Sequence, residues 1–317
     1  MATLSGSIRM AISAAVAVAL APNAAPADVA YAKSGVVYFA DASGRVVRSI
    51  KPDLPVCNFT VSSDITSLVF VPCNSGDYGG PLYLLNLGDS TLRKISSGRY
   101  WRVASDEPAR EVYSDPEFSP DGRSLVFAVR NVPVKGAADL VEASGPLAIM
   151  DLPTRRVRLV ESTLDIQGSG PAFANKPSWS PDGTRILLSF ETGFGILSIK
   201  GGPIRFLDPD HAGSWSTAFA WVGPGCLAYG FGDDGRIRGV EILHLSPLRT
   251  EPASDRFGVS LSGGALITDF QISGDRLLIG TAEEGRLYNV RSHALLTRFP
   301  PGARLLGLRR FALPDCK

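Results

Sequence analysis

Histidine is scarce in this sequence: His211, His244 and His293 are the only three in 317 residues. That argues against a His-rich metal centre, and a Ser-His-Asp triad would need one of the three beside a nucleophilic serine. Neither Gly-x-Ser-x-Gly nor His-Glu-x-x-His occurs, so the nucleophile elbow and the helical zinc motif are both missing. The four cysteines, Cys57, Cys73, Cys226 and Cys316, match no zinc-ligand spacing. Charge of one sign is missing too. Against 32 basic residues stand 31 acidic ones, for a net +1, and no basic run argues for nucleic acid. Beyond the N-terminal segment no stretch keeps a helical hydrophobic period.

What is present suits a turn-rich core. Hydrophobic residues make up 44% and charged residues 20%, enough to bury a core and too apolar for a disordered chain. Glycine at 33 and proline at 23 suit a fold with many turns. The N-terminus reads as a separate element. Arg9 is followed by a short apolar, Ala-rich run at 10–21 and then by Ala25-Pro26-Ala27. This order is that of a secretory signal peptide, and the apolar run is too short to span a bilayer. The expected organisation is a leader over 1–27, cleaved near Ala27, and one mature domain over 28–317. An even cysteine count in an oxidising compartment allows two disulfides, in three possible pairings. Cys57 with Cys73 closes the shorter loop, and free buried thiols are the alternative.

One phrase is written twice. Residues 115–129 read DPEFSPDGRSLVFAV and residues 176–190 read KPSWSPDGTRILLSF. An aromatic residue, Phe118 or Trp179, ends one strand. Ser119-Pro120-Asp121-Gly122 and Ser180-Pro181-Asp182-Gly183 then make a tight turn. Proline fixes φ, aspartate bonds its own backbone, and glycine takes the positive φ that other residues avoid. An alternating apolar strand follows, so each copy spells a hairpin. Weaker copies occur at 220–230 and 270–280, and further β-rich runs at 34–39 and 65–71. Six second-strand candidates result, near Tyr38, Phe70, Phe127, Leu188, Tyr229 and Ile279. Each is followed by one or two more short runs, as at 82–87 with 92–95 and at 146–152 with 157–160. About four short strands per unit, repeated every 30–60 residues, is propeller patterning.

The phrase resembles the repeat of TolB-like β-propellers. The resemblance implies an all-β, six-bladed propeller, a bacterial envelope setting and contact with protein partners. Two copies match at nearly every position; the others are degenerate, and the unit beginning at Gly35 lacks the Pro-Asp-Gly turn. The units begin directly after the leader, where the family carries a separate N-terminal domain, and this departure weakens transfer of the family's own envelope role. The run at 303–311 has no hairpin partner after it, and the unit at Gly35 has no first strand before it. Pairing of the C-terminal strand with the first blade answers both needs. Cys57 with Cys316 would then staple the seam, a rival to Cys57 with Cys73.

Candidate chemistry is thin. Asp121 and Asp182 read as turn residues, and Asp233-Asp234-Gly235 as a hairpin turn that lacks the ligands of a calcium loop. Ser260-Leu261-Ser262-Gly263-Gly264 is a small-residue loop. His211 lies in a polar stretch with Trp215, His293 in a turn, and His244 alternates within a strand. Tyr100, Trp101 and Trp215 could form binding hot spots or fill space between blades. The insertion at 131–145 could carry a partner contact. These readings give no catalytic, cofactor-binding or metal-ligating residue and no cofactor. They point to a monomeric, exported (periplasmic or extracellular) non-catalytic protein-binding module, with no nucleic acid and no stable membrane insertion. The alternative is a propeller enzyme of the metal-dependent lactonase or lyase type, with carboxylates at the central channel.

Overall fold

The computed structural model describes residues 29–41, 43–72, 79–96, 100–102, 108–133, 147–160, 162–163, 175–190, 193–207, 219–233, 236–245, 248–252, 267–273, 276–281, 284–289, 292, 294–300 and 304–308. Every regular element among them is a strand, and the strands form six antiparallel sheets of four or five strands. The first blade holds β1 (Val29–Lys33), β2 (Val36–Ala40) and β3 (Val46–Ile50). The second holds β4 (Val56–Val61), β5 (Ser67–Pro72), β6 (Leu82–Asn86) and β7 (Leu92–Ser96). The third holds β8 (Tyr100–Arg102), β9 (Pro108–Phe118), β10 (Ser124–Pro133), β11 (Leu147–Asp151) and β12 (Val157–Val160).

A two-residue strand, β13 (Ser162–Thr163), leaves the third blade. The fourth blade holds β14 (Asn175–Trp179), β15 (Arg185–Phe190), β16 (Gly193–Ser198) and β18 (Arg205–Leu207), and β17 (Gly202–Pro203) pairs in parallel with β13. The fifth holds β19 (Phe219–Gly223), β20 (Cys226–Asp233), β21 (Arg236–Leu245) and β22 (Leu248–Pro252). The sixth holds β23 (Ile267–Ser273), β24 (Arg276–Thr281), β25 (Gly285–Asn289) and β26 (Ala294–Phe299). The last strand, β27 (Arg304–Leu308), returns to the first blade and gives the order β27-β1-β2-β3. It runs antiparallel to β1, with Val29 opposite Leu308 and Ala32 opposite Arg304.

Two sequence expectations are corrected by this order. A strand does precede Gly35: it is β1, and the C-terminal strand pairs with it rather than with the run at 36–40. Tyr38 therefore lies on the third strand of its blade, and the second is β1, whose first four residues are buried. The third correction is Ile65, which stands in a turn at φ +56° and not in the following strand. The missing Pro-Asp-Gly turn of the first blade also has a reason. Its first and second strands, β27 and β1, come from opposite ends of the chain, so no hairpin joins them there.

Second strands read as continuous apolar runs because both of their faces are covered by neighbouring blades. Leu68, Val69, Phe70 and Val71 of β5 are all buried, as are Leu125 to Val129 of β10. Alternate residues of one strand feed two cores. Leu68 and Phe70 pack with Val37 and Phe39 between the first and second blades. Val69 and Val71 pack with Tyr113 and Phe127 between the second and third. The same rule joins blades three to four and four to five. Val29, Tyr31 and Ala40 pack with Leu278, Leu287 and Phe299, so the sixth blade lies against the first. Each fully buried Leu, Val or Phe contributes about 1.5–3 kcal/mol, and each interface gathers several.

Two tryptophans add a directional latch. The indole N–H of Trp179, at the end of β14, donates to the backbone oxygen of Glu117 on β9 at 3.2 Å. Trp221 on β19 repeats this, donating to Ser178 O on β14 at 3.1 Å. Each satisfies a buried polar handle while its ring fills the space between blades.

Candidate functional site

The hairpin turns joining first to second strands and third to fourth strands share one end of the molecule. At that end the S-P-D-G phrase becomes a hydrogen-bonded knot. Ser119 N donates to Ser124 O at 2.8 Å, and Gly122 N donates to Ser119 O at 2.9 Å. The Ser119 hydroxyl donates to Asp121 Oδ1 at 2.6 Å and accepts from Ser124 N at 2.9 Å. Asp121 Oδ1 also accepts from Arg123 N at 3.0 Å. The turn at 180–185 makes the same bonds, with Ser180 and Asp182 in the equivalent places. Gly122 and Gly183 sit at φ +69° and +70°.

These bonds fix the ionisation of the carboxylates. The Ser119 hydroxyl and the Arg123 N–H hold Asp121 below the usual carboxylate range. Burial pushes Asp182 upward, but hydrogen bonds from Ser180 and Thr184 and the nearby Arg185 outweigh it and bring it down to about 2. Asp151, at the end of β11, is lowered by the Thr154 hydroxyl and backbone N–H. All three are committed acceptors. A general acid would need a raised pKa and a free proton-transfer position, and these groups have neither.

A groove of about 910 Å³ opens between blades three and four at this end. Its floor is the turn at 119–124. Blade four lines it with Trp179, Pro181, Asp182 and Ile199, and blade three with Ile149, Asp151 and the hairpin at 156–158. Arg156 and Arg158 stand on the blade-three wall, exposed and without a salt bridge among the described residues, with Arg156 near enough to Asp151 to help lower its pKa. The groove thus presents guanidinium groups and apolar surface, while its carboxylates are turned to its own backbone.

A third copy of the knot escaped the sequence reading. At 62–67 the residues are SSDITS. Ser62 N donates to Ser67 O at 2.9 Å, Ile65 N donates to Ser62 O at 2.8 Å, and the Ser62 hydroxyl donates to Asp64 Oδ1 at 2.6 Å. Proline and glycine are absent, and only the Ser-x-Asp spacing could have revealed the copy. A second repeat was also missed. Asp41, Asn86, Asp151 and Asn289 each follow or end a third strand and accept backbone N–H groups of the next turn. The pattern of an apolar strand closed by Asp or Asn was its signal.

The other residues singled out in the sequence divide. His244 is buried on β21 with Nδ1 3.4 Å from Cys226 Sγ. Tyr100 and Trp101 lie on β8, which pairs with the start of β9. Asp233 ends β20 and Cys57 lies on β4. Outside the described residues lie 1–28, Cys73, Cys316, His211, Trp215, His293, Asp234, Gly235, 260–264 and most of the insertion, 134–145. Among the described residues no group of three or more His, Cys, Asp or Glu is placed to hold a metal, and no helix is long and apolar enough to cross a membrane.

The family described as "Strictosidine synthase-like, N-terminal" matches residues 11–49. No curated protein matches the chain by sequence. Solved structures match by shape. A chain of a nidogen/laminin complex superposes with a TM-score of 0.57 at 11% identity, over 90% of this chain and 99% of its own. TolB from Acinetobacter baumannii gives 0.52 at 16% identity, over 88% of this chain and 65% of its own. An oligogalacturonate lyase in complex with manganese gives 0.52 at 13%, over 82% and 69%. At such identities the likeness is one of fold, and fold alone assigns no chemistry. In fold, this chain is a TolB-like, six-bladed β-propeller.

Proposed function

We propose that the chain is an exported, non-catalytic propeller that docks a protein partner in the cell envelope. The observation that carries this reading is the groove between blades three and four. Its acids are ionised and held in place by turn bonds through Oδ1, and beside them it presents Arg156, Arg158 and apolar surface. Arginine with apolar area is the chemistry of protein docking. The nidogen/laminin neighbour, itself a chain of a protein complex, supports a propeller in that role. In this reading residues 1–27 form a cleaved leader and 28–317 one monomeric domain. Strand β1 begins at Val29, which leaves room for a cut near Ala27. The disulfide state of Cys226, and the absence of a free cysteine among the described residues, support an oxidising compartment, periplasmic or extracellular.

Crosslinking in intact cells, followed by affinity recovery of the chain and mass spectrometry, tests the reading. One or two envelope proteins crosslinked in defined stoichiometry are expected. A tightly held metal ion in the purified protein, with a melting temperature that falls on chelation, would overturn it in favour of a propeller lyase or lactonase.

A further inference from the structure

The outermost strand of blade three alternates in chemistry as well as in direction. Among the described residues β12 pairs only with β11, and none of them pairs with its other edge. Directly paired residues share a face of the sheet. Arg158 lies opposite Ile149, which packs toward blade four, and Arg156 is two residues away on the same side. Val157 lies opposite Met150 and Leu159 opposite Ala148, and both partners pack toward blade two. Val157 is 47% exposed and Leu159 56%. Only two other large hydrophobics are exposed among the described residues, Val46 and Leu295, each less so and each on a different blade. Neither arginine side chain makes a hydrogen bond or salt bridge among the described residues; Arg156 is attracted at longer range to Asp151, and Arg158 has no such partner there. From Arg156, just before β12, the edge therefore reads arginine, valine, arginine, leucine, with Arg158 on the face of Ile149, Leu159 on the face of Ala148, and Val157 bordering the groove between the two arginines.

We propose that β12 is a strand-addition site, and that its occupant is an extended segment of a partner protein alternating acidic and apolar residues. Strand addition supplies backbone hydrogen bonds from the open edge, and alternate side chains supply the choice of partner. An acidic residue on the groove side meets Arg156 and Arg158. The apolar residues between cover Val157 and Leu159. The proposal rests on the docking reading above and assigns it a surface. Lysine and arginine on edge strands also guard against unwanted pairing. A guard needs no second face of exposed valine and leucine, and the alternation distinguishes the two roles.

The probe is a fluorescein-labelled synthetic peptide of alternating glutamate and valine, with a lysine–valine peptide as its control. Anisotropy with the full mature chain should show binding of the first and not of the second. Arg156→Glu combined with Arg158→Glu should weaken it about tenfold or more, and Leu159→Lys should weaken it as well. All three positions are exposed, and a thermal melt confirms that the variants fold. Bound peptide should slow amide hydrogen exchange at 156–159, which attraction to loose surface arginines would not do. Equal binding of both peptides, no binding of the acidic one, no effect of the variants or no protection at 156–159 would each overturn the site. An envelope protein that still crosslinks to the charge-reversed chain would leave the docking reading standing and remove β12 from it.

Discussion

Blade four and blade two turn the same corner with different residues. At 180–185 the corner is Ser-Pro-Asp-Gly-Thr-Arg, and at 62–67 it is Ser-Ser-Asp-Ile-Thr-Ser. The serine–aspartate bond is 2.6 Å in both, and both close with the same backbone pair. What differs is the backbone's ease. Glycine at φ +70° is unstrained, whereas Ile65 holds φ +56° with a β-branched side chain, which is unfavourable by about 1–2 kcal/mol. The side-chain bonds define the corner, and proline and glycine only make it easier to form. The two corners also differ in the residue before them, buried Trp179 in one and half-buried Val61 in the other.

The comparison can be broken most forcefully at that preceding residue. Trp179→Val gives blade four the blade-two residue and removes both the ring and its bond to Glu117 O. A loss of about 3 kcal/mol is expected, measured as the shift in urea midpoint at constant slope. Next comes the shared serine. Ser180→Ala and Ser62→Ala should each destabilise by about 2 kcal/mol, because a part-buried N–H is left without its acceptor. Similar losses would show that the two corners rely on the same bonds, and a negligible loss at Ser62 would refute this.

Smaller effects follow from the backbone. Gly122→Ile should lower stability by about 1–2 kcal/mol through φ alone, since an added Cβ there meets nothing within 4 Å. Ile65→Gly relieves the strain but also removes a half-buried side chain that packs against the core between blades one and two, so a net change within about 1 kcal/mol of zero is expected. The mildest effect is on pH dependence. Asp182 is held near 2 in the folded chain and titrates near 3.8 when free. Its contribution is complete above about pH 4–5 and is lost as pH falls toward 2. Asp182→Asn should therefore flatten the acid limb of a melting-temperature profile and leave its shape above pH 5 unchanged. An equally steep acid limb in the variant would show that other carboxylates carry it.

The blade plan was legible because second strands are buried on both sides and so read as unbroken apolar runs, and because two corners carry glycine and proline. Residues 127 and 188 announce their strands in this way. The corner at 62–67 was not legible as a copy of the phrase, since its Ser-Ser-Asp signals a turn but it lacks the proline and glycine that mark the other two. Strand β1 was missed because VAYAK follows directly on the segment expected to be a leader and has no copy of the phrase beside it. The groove was hardest to foresee. Arg156 and Arg158 look like ordinary surface charge in one dimension, and their shared wall depends on the register between β11 and β12 and on the approach of blade four.

The pairing of β27 with β1 also orders events in time. Val29 and its neighbours leave the ribosome first, yet one side of that strand stays bare until residues 304–308 arrive. Until then the first blade carries a sticky, waiting border, and conditions that delay residues 304–308, such as slow synthesis, should favour its capture by a chaperone or by a second chain.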